Sequence, residues 1–159
     1  MSNVRRIIFG ANPRRTTVRI LVLGTISAIT FGWILTPVRA DGDSMLPTYA
    51  SGRFGLVNRM AYMSTTPRRG DIVAIRLAGP HVLYIKRVIA LPGERISVKD
   101  GQVFVNGTQL SEPYVRHQRV WNLDEVVLGP AEYFVAGDNR VASDSGRVEG
   151  ERILGRLVF

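Results

Sequence analysis

The longest apolar stretch of the chain extends from Val18 to Val38 and spans 21 residues. A helix of that length, rising about 1.5 Å per residue, covers the roughly 30 Å hydrocarbon core of a bilayer. Arg19, near its start, can extend its guanidinium to the membrane interface. The stretch therefore predicts one membrane-spanning anchor, residues 20–38, and leaves residues 39–159 to form the folded body.

The positive charge of the chain is concentrated before this apolar stretch. Residues 1–40 hold six arginines and no acid, so most of the formal charge of +8 belongs to this end. Because positive charge is retained on the cytoplasmic side, we expect residues 1–19 to be a cytoplasmic basic segment of a single-pass protein of the cytoplasmic (inner) membrane. The body would then lie on the extracytoplasmic, periplasmic face, with the lipid bilayer as one partner.

The body itself is almost neutral, with 15 basic and 13 acidic side chains after residue 40. A nucleic-acid-binding protein carries a basic face on its folded domain, and no such arrangement is visible here. We therefore expect no nucleic-acid partner.

A cleaved secretory signal is the alternative interpretation of the N-terminus, with Arg14-Arg15 as a twin-arginine pair. The apolar stretch is long for a signal. The sequence that follows it, Thr36 to Ala40, contains no clean small-x-small cleavage site.

After residue 40 the pattern changes to short strands separated by turn residues. Asp100-Gly101 and Asn106-Gly107 have the chemistry of tight hairpin turns, because both dipeptides tolerate positive φ. No later segment shows helical periodicity over three turns. The fold class is therefore mainly β, a single N-terminal transmembrane helix followed by a compact all-β domain. The predicted strands are 53–59, 71–77, 82–91, a small meander across 96–110, 132–136 and 152–159.

Two residues stand out as candidates for chemistry. Ser44 lies in the segment GDSMLPTY, a few residues after the anchor, and a serine needs a positioned base to act as a nucleophile. Lys86 is one of only two lysines among 21 Lys and Arg residues, and it shares the apolar face of its strand with Tyr84 and Val88. A lysine deprived of water loses its proton readily, whereas an arginine does not. Lys99, beside a turn, is expected to be solvated.

Other catalytic chemistries find little support in the composition. The absence of cysteine excludes thiol catalysis, disulfides and cysteine-based metal sites. His81 and His117 lie in polar, loop-like surroundings without metal-ligand spacing, so we expect no metal and no cofactor.

Four blocks of the sequence together resemble the type I signal peptidase (leader peptidase) family, membrane-anchored serine proteases with a Ser-Lys dyad. GDSMLPTY is similar to the family's nucleophile block and RRGDIVAIRL to its Arg-Gly-Asp strand. YIKRVIALPGE is similar to its lysine block and YFVAGDNRVASDSGR to its Gly-Asp-Asn-Arg block. The blocks come in the family's order, and the resemblance covers roughly residues 20–159. Relatives without a large inserted second domain are the most similar.

The resemblance implies a serine endopeptidase that removes N-terminal signal peptides from exported preproteins during secretion, and we expect it to be a monomer. Ser44 would be the nucleophile, Lys86 the general base and then general acid, and Ser143 the hydroxyl that orients the lysine amine. Gly42 and Met45 would belong to the substrate- and oxyanion-binding side. Structural support is expected from Asp138, Asn139, Arg140, Asp144 and Arg147, and likewise from Arg69, Gly70 and Asp71.

The sequence departs from the family pattern at two places. Some relatives place a serine, an oxyanion donor, where this chain has Gly42, so backbone N–H groups must suffice or the enzyme is slow. In Ser143-Asp144-Ser145-Gly146-Arg147 the Asp-Ser pair stands one position early. That register makes Ser143 the lysine's partner and predicts that Asp144 no longer pairs with Arg147.

Three other functions compete with general signal-peptide removal. The first is a specialised peptidase of the same chemistry, such as the pilin-maturing enzymes of conjugation systems. The second is a soluble Ser-Lys self-cleaving repressor, against which the anchor and the lack of a helical DNA-binding domain count. The third is an inactive membrane-bound binding module, against which the retention of Ser44, Lys86 and Ser143 counts.

Overall fold

The computed structural model describes residues 12–76 and 83–158. The expectations for residues 1–11, for His81, for the Gly79-Pro80 turn with the adjoining strand ends at Leu77 and Val82, and for Phe159 lie outside the described residues. By internal contacts the chain forms two units, Met1–Thr36 and Pro37–Phe159.

The first unit contains one long apolar helix, α1, Pro13–Ile29, which continues as a π-helical turn over Thr30–Ile34. Asn12 caps its start, where the side chain accepts a hydrogen bond from the Arg15 amide at 3.4 Å. Proline is well placed in the first turn because its missing N–H would have no partner there. The span Arg14–Ile34 is 21 residues long with a mean hydropathy of 1.6, enough in length and composition to cross a membrane.

The helical segment ends at Ile34, four residues before the end of the predicted anchor at Val38, and Leu35–Arg39 forms a strand instead. Pro37 explains this difference, because proline cannot continue a helix and disfavours the α conformation of the residue before it.

The second unit is built from antiparallel strands in two sheets, which confirms the predicted mainly β fold. The strands are β1 Leu35–Arg39, β2 Phe54–Asn58, β3 Ile72–Arg76, β4 Leu83–Ala90, β5 Arg95–Lys99, β6 Gln102–Val105, β7 Thr108–Gln109, β8 Leu123–Val127, β9 Glu132–Ala136, β10 Gly146–Glu149 and β11 Ile153–Val158. The seven-stranded sheet has the order β1-β2-β11-β3-β4-β9-β10, and the four-stranded sheet has the order β7-β6-β5-β8.

The two predicted hairpin turns connect β5, β6 and β7. Asp100 and Gly101 have φ values of 49° and 82°, and Asn106 and Gly107 have 51° and 78°. Both residues of each pair thus adopt the left-handed conformation that a two-residue turn between twisted strands requires. The predicted meander is confirmed.

The central strands β3, β4 and β9 position the residues discussed below. Val73 on β3 is the cross-strand partner of Lys86, and Val88 on β4 is the partner of Val135 on β9. Together with Ile75, these valines belong to one buried cluster on the face that carries Lys86. A register shift between Val88 and Ala90 then buries both Ile89 and Ala90 in a second cluster, shared with the four-stranded sheet.

Candidate active site

Lys86 and Ser143 meet inside the second unit. The lysine Nζ donates to the Ser143 Oγ at 2.6 Å, and the two residues are only 8% and 9% exposed. The Ser143 Oγ also accepts from the Gly137 amide at 3.0 Å and donates to the Asp144 carbonyl at 3.0 Å. A hydroxyl has one proton and two lone pairs, so all its hydrogen-bonding capacity is used. Ser143 can therefore only accept from the lysine, which fixes the direction of the amine.

The surroundings of Lys86 are largely apolar. Val73 lies opposite it on β3, and the Nζ lies 5.7 Å from the centre of the Tyr84 ring. Burial lowers the pKa of Lys86 because it disfavours the ammonium form, while the negative charge of Asp144 acts in the opposite direction. A lysine in such a place is suited to act as a base at a lower pH than a solvated lysine.

Gly137 brings Ser44 next to Ser143. A side-chain carbon added at Gly137 would lie 2.2 Å from the Ser143 Oγ and 2.3 Å from the Ser44 carbonyl oxygen. Any residue larger than glycine would therefore separate the two serines, and no real Cβ atom tolerates such contacts. The backbone carbonyl of the half-buried Ser44 thus lies close to the hydroxyl that holds the lysine amine. Gly137 directly precedes Asp138, but no role for it is predicted from the sequence.

Asp138 connects three of the sequence blocks. Its fully buried carboxylate accepts from the Arg87 Nε at 2.8 Å and Nη2 at 2.6 Å, and from the Thr48 hydroxyl. Arg87 also donates to the Gly70 carbonyl at 2.9 Å and stacks on the Tyr114 ring at 4.1 Å. Burial lowers the pKa of Arg87, but the hydrogen bonds and charge of Asp138 outweigh it and raise the pKa. This paired network holds the segment that contains Ser44 and Thr48 against β4.

Asn139 and Arg140, which follow Asp138, also bind the backbone near Ser44 and Gly137. The Asn139 amide donates to the Ser44 carbonyl at 3.0 Å, and its side-chain Nδ2 donates to the Asp43 carbonyl at 3.0 Å. The buried Arg140 donates from Nε to the Gly137 carbonyl at 3.0 Å and forms an ion pair with Glu112 at 2.5 Å. These contacts fix the backbone on both sides of Ser44.

Thr48, Arg87 and Glu112 were missed as partners in the sequence. Alternation along β4 could have indicated Arg87, because the neighbour of Lys86 must point to the opposite face, where an acid has to pair with it. Thr48 and Glu112 are remote in sequence from the groups they bind, and no local pattern marks them.

Gly42 and Met45 lie on the two sides of Ser44. Gly42 has a φ of 93°, so a serine at this position would adopt a strained backbone conformation. Its N–H donates to the Ser51 Oγ at 3.1 Å. Met45 is buried, packs in a cluster with Tyr49 and accepts a hydrogen bond from the Tyr49 amide at 2.8 Å. Their oxyanion and substrate roles stay predictions.

The loop after Ser143 shows which serine contacts the lysine, while the catalytic role of Ser143 stays a prediction. Lys86 is bonded to Ser143 and not to Ser145. Arg147 is paired with Glu132, with the Nη1 and Oε1 atoms 3.6 Å apart, and Asp144 is exposed.

The Arg-Gly-Asp block is held to neighbouring residues by hydrogen bonds and an ion pair. Arg69 pairs with Glu94 at 2.6 Å, and the Gly70 amide donates to the Val88 carbonyl of β4 at 2.8 Å. In the same block the Asp71 carboxylate accepts from the Tyr62 hydroxyl at 2.9 Å.

An open groove of about 320 Å³ runs past the lysine. Its floor is mostly apolar and its rim is formed by the loop that follows Ser143. The residues that line it are Ile75, Tyr84, Lys86, Val135, Asp144, Ser145, Gly146, Arg147 and Val148. The lining thus comes from strands β3, β4, β9 and β10 and from the loop that follows Ser143.

Comparison with known proteins identifies relatives that match most of the chain. A sequence model described as "Signal peptidase, peptidase S26" matches residues 14–159. The chain is 39% identical over 124 residues to signal peptidase I V of Bacillus subtilis (strain 168), covering 69% of this chain and 73% of that protein. It is also 39% identical over 137 residues to signal peptidase I of Bacillus caldolyticus, covering 75% of each.

A solved structure has a fold similar to part of this chain. The crystal structure of a signal peptidase I from Enterococcus faecalis V583 is similar with a TM-score of 0.50 and 30% sequence identity. The similarity covers 59% of this chain and 98% of that one.

Proposed function

Because the chain belongs to the signal peptidase family, peptidase S26, we propose that it is a membrane-bound serine endopeptidase that removes N-terminal signal peptides from exported preproteins with a Ser44-Lys86 dyad. The observation that carries this proposal is the buried Lys86 amine, which is held at 2.6 Å by the Ser143 hydroxyl. The Ser143 Oγ and the Ser44 carbonyl oxygen both lie close to the same backbone position, Gly137. A neutral lysine amine that donates one hydrogen bond to a fixed partner keeps its lone pair free to accept the proton of a nucleophile.

In the first half of the reaction, neutral Lys86 takes the proton of the Ser44 hydroxyl as the oxygen attacks the scissile carbonyl. Ser143 accepts an N–H bond from the amine throughout, so the lone pair is directed away from Ser143. The lysine then gives the proton to the leaving amine, which departs as the N-terminus of the mature protein. Ser44 is left acylated by the signal peptide.

In the second half, water replaces the leaving amine. Lys86 removes a proton from this water as its oxygen attacks the acyl carbonyl, and it returns the proton to the Ser44 oxygen as the ester breaks. No metal or cofactor takes part in either half. Backbone N–H groups of the nucleophile segment stabilise the oxyanion, because Gly42 supplies no hydroxyl.

The substrate lies extended in the groove beside Lys86, with small residues on the amino side of the scissile bond. The apolar helix Arg14–Ile34 anchors the enzyme in the membrane in which the preprotein is also held. Arginines precede this helix, so the N-terminus is cytoplasmic and the residues after Arg39 face the extracytoplasmic side.

The test is cleavage of a generic preprotein by the purified full-length protein in detergent. We expect one cut after a small residue at the end of the signal peptide, identified by sequencing the new N-terminus of the product. Ser44→Ala must abolish the cut at equal thermal stability. Cleavage by Ser44→Ala at the wild-type rate, or no cleavage of any preprotein by the wild type, contradicts the proposal.

A further inference from the structure

Asp144 occupies a place beside Lys86 that the reaction described above does not use. Its backbone carbonyl accepts the Ser143 hydroxyl proton at 3.0 Å, and Ser143 in turn accepts from the Lys86 Nζ at 2.6 Å. Its side chain is exposed and lines the same groove as Lys86. The loop therefore fixes the backbone of this acid one residue away from the lysine's own hydrogen bond.

The other groups that face Lys86 leave Asp144 as the main source of negative charge. Strand β3 contributes the apolar Val73, and β4 contributes the Tyr84 ring, 5.7 Å from the Nζ. From β10, Arg147 lines the groove and is paired with Glu132 at 3.6 Å. Among the described residues that line the groove, Asp144 is the one acid.

We propose that Asp144, which lines the same groove, is a positioning residue for Lys86: its carboxylate favours the ammonium bonded to Ser143 and so sets the pH above which the lysine acts as a base. This inference rests on the proposed function for its consequence in catalysis. Burial lowers the pKa of Lys86, and the Asp144 charge opposes that effect. Removal of the charge therefore makes the amine lose its proton at lower pH.

The position of Asp144 at the groove has a consequence for substrate binding. A peptide seated there excludes water and strengthens the attraction between the carboxylate and the ammonium. Without the peptide, the exposed carboxylate is screened by water and salt. The dependence of turnover on pH and on ionic strength is thus set in part by this one side chain.

The chain offers a direct measurement, because it contains only two lysines, Lys86 and Lys99. Isotope labelling of lysine in the full-length protein in detergent micelles gives two side-chain NMR signals, assigned by Lys99→Arg. In Asp144→Asn we expect the titration midpoint of Lys86 to move to lower pH, while that of Lys99 stays in place. Asp144→Glu retains the charge and should keep the Lys86 midpoint near that of the wild type.

The control is Glu149→Gln, which removes one negative charge from the exposed far end of β10. It should leave the Lys86 midpoint unchanged. Added salt should lower the midpoint in the wild type by screening Asp144, and this downward shift should be absent in Asp144→Asn. The salt series on the wild type needs no variant, so the inference stays testable even if Asp144→Asn fails to fold.

The result that overturns the inference is a Lys86 midpoint that is the same in Asp144→Asn and the wild type, or that moves equally in Glu149→Gln. Because the NMR measurement needs no turnover, its outcome is separate from that of the cleavage assay. A protein that cuts no preprotein yet shows the expected midpoint shift refutes the proposed function and leaves the role of Asp144 in place. In an active protein, the acid limb of kcat/KM should follow the NMR midpoint.

Discussion

Replacement of Ser143 by alanine tests the arrangement around the lysine. The change removes the acceptor of the Lys86 Nζ hydrogen bond at 2.6 Å, and it also removes the partners of the Gly137 amide and the Asp144 carbonyl. A hydrogen bond to a charged group contributes roughly 1.5–3 kcal/mol. Since 1.36 kcal/mol corresponds to a factor of ten in rate, turnover should fall about 10–100-fold.

The same substitution has a cost in stability that must be separated from the cost in catalysis. The Gly137 amide lies in a buried position, and leaving such a group without a partner costs about 1–3 kcal/mol of unfolding free energy. The assay is therefore cleavage of one preprotein at saturating and limiting concentrations, at a temperature where thermal melting shows both proteins to be fully folded. We expect the loss in kcat, because in the proposed mechanism Ser143 orients the base.

Ser145→Ala is the matched control for this experiment. Ser145 is half-buried, lines the same groove and lies only two residues further along the same loop. Its loss should reduce turnover much less than the loss of Ser143. A larger reduction in Ser145→Ala than in Ser143→Ala, at equal stability, would refute the register of this loop and the role of Ser143.

Three further predictions follow from the packing, the charges and the topology. Gly137→Ala should abolish cleavage and lower the melting temperature, since its methyl carbon would lie 2.2 Å from the Ser143 Oγ, whereas Gly24→Ala, which meets nothing within 4 Å, should do neither; equal melting and activity of the two variants would contradict the packing. Asp138→Asn breaks a buried ion pair and should cost about 3–5 kcal/mol by denaturant unfolding. Glu125→Gln disrupts an exposed pair 3.9 Å apart and should cost less than about 1 kcal/mol, so similar losses in both would refute the difference. Protease added to intact spheroplasts should digest the body after residue 39; protection until lysis would contradict the orientation.

Much of the fold could be predicted because its signals are local. The alternation along β4 and the Asp-Gly and Asn-Gly turns report directly on backbone geometry, and the structure has the corresponding strands and turns. Strand β9 was predicted with the bounds it has, 132–136. These elements need only neighbouring residues to specify them.

The strands that the sequence did not indicate lack such signals. Strand β1 contains a proline and continues the apolar stretch of the anchor, so its sequence pattern predicts a longer helix. Strand β8, Leu123–Val127, contains two acids, and β10 has four residues and begins with a glycine. In each case pairing with a neighbour remote in sequence determines the strand, and periodicity does not.

The residues of the site likewise fall into those marked by local sequence and those required by contacts between remote segments. Ser44, Lys86 and Ser143 were candidates because their residue types and blocks mark them. Gly137 begins the Gly-Asp-Asn-Arg block, but its role is required by the close approach of two oxygens in space, which the sequence does not reveal. The Arg87-Asp138 pair likewise joins residues 51 apart in sequence and becomes evident only from the three-dimensional structure.

The central claim is that Lys86 is the base that activates Ser44. Its most direct test is single-turnover cleavage of a preprotein by Lys86→Arg and Lys99→Arg, each purified as the full-length protein in detergent and matched for thermal stability. Arginine keeps the positive charge but cannot give up its proton. We predict no cleavage by Lys86→Arg and a wild-type rate for Lys99→Arg. Cleavage by Lys86→Arg at the wild-type rate would contradict the Ser-Lys mechanism.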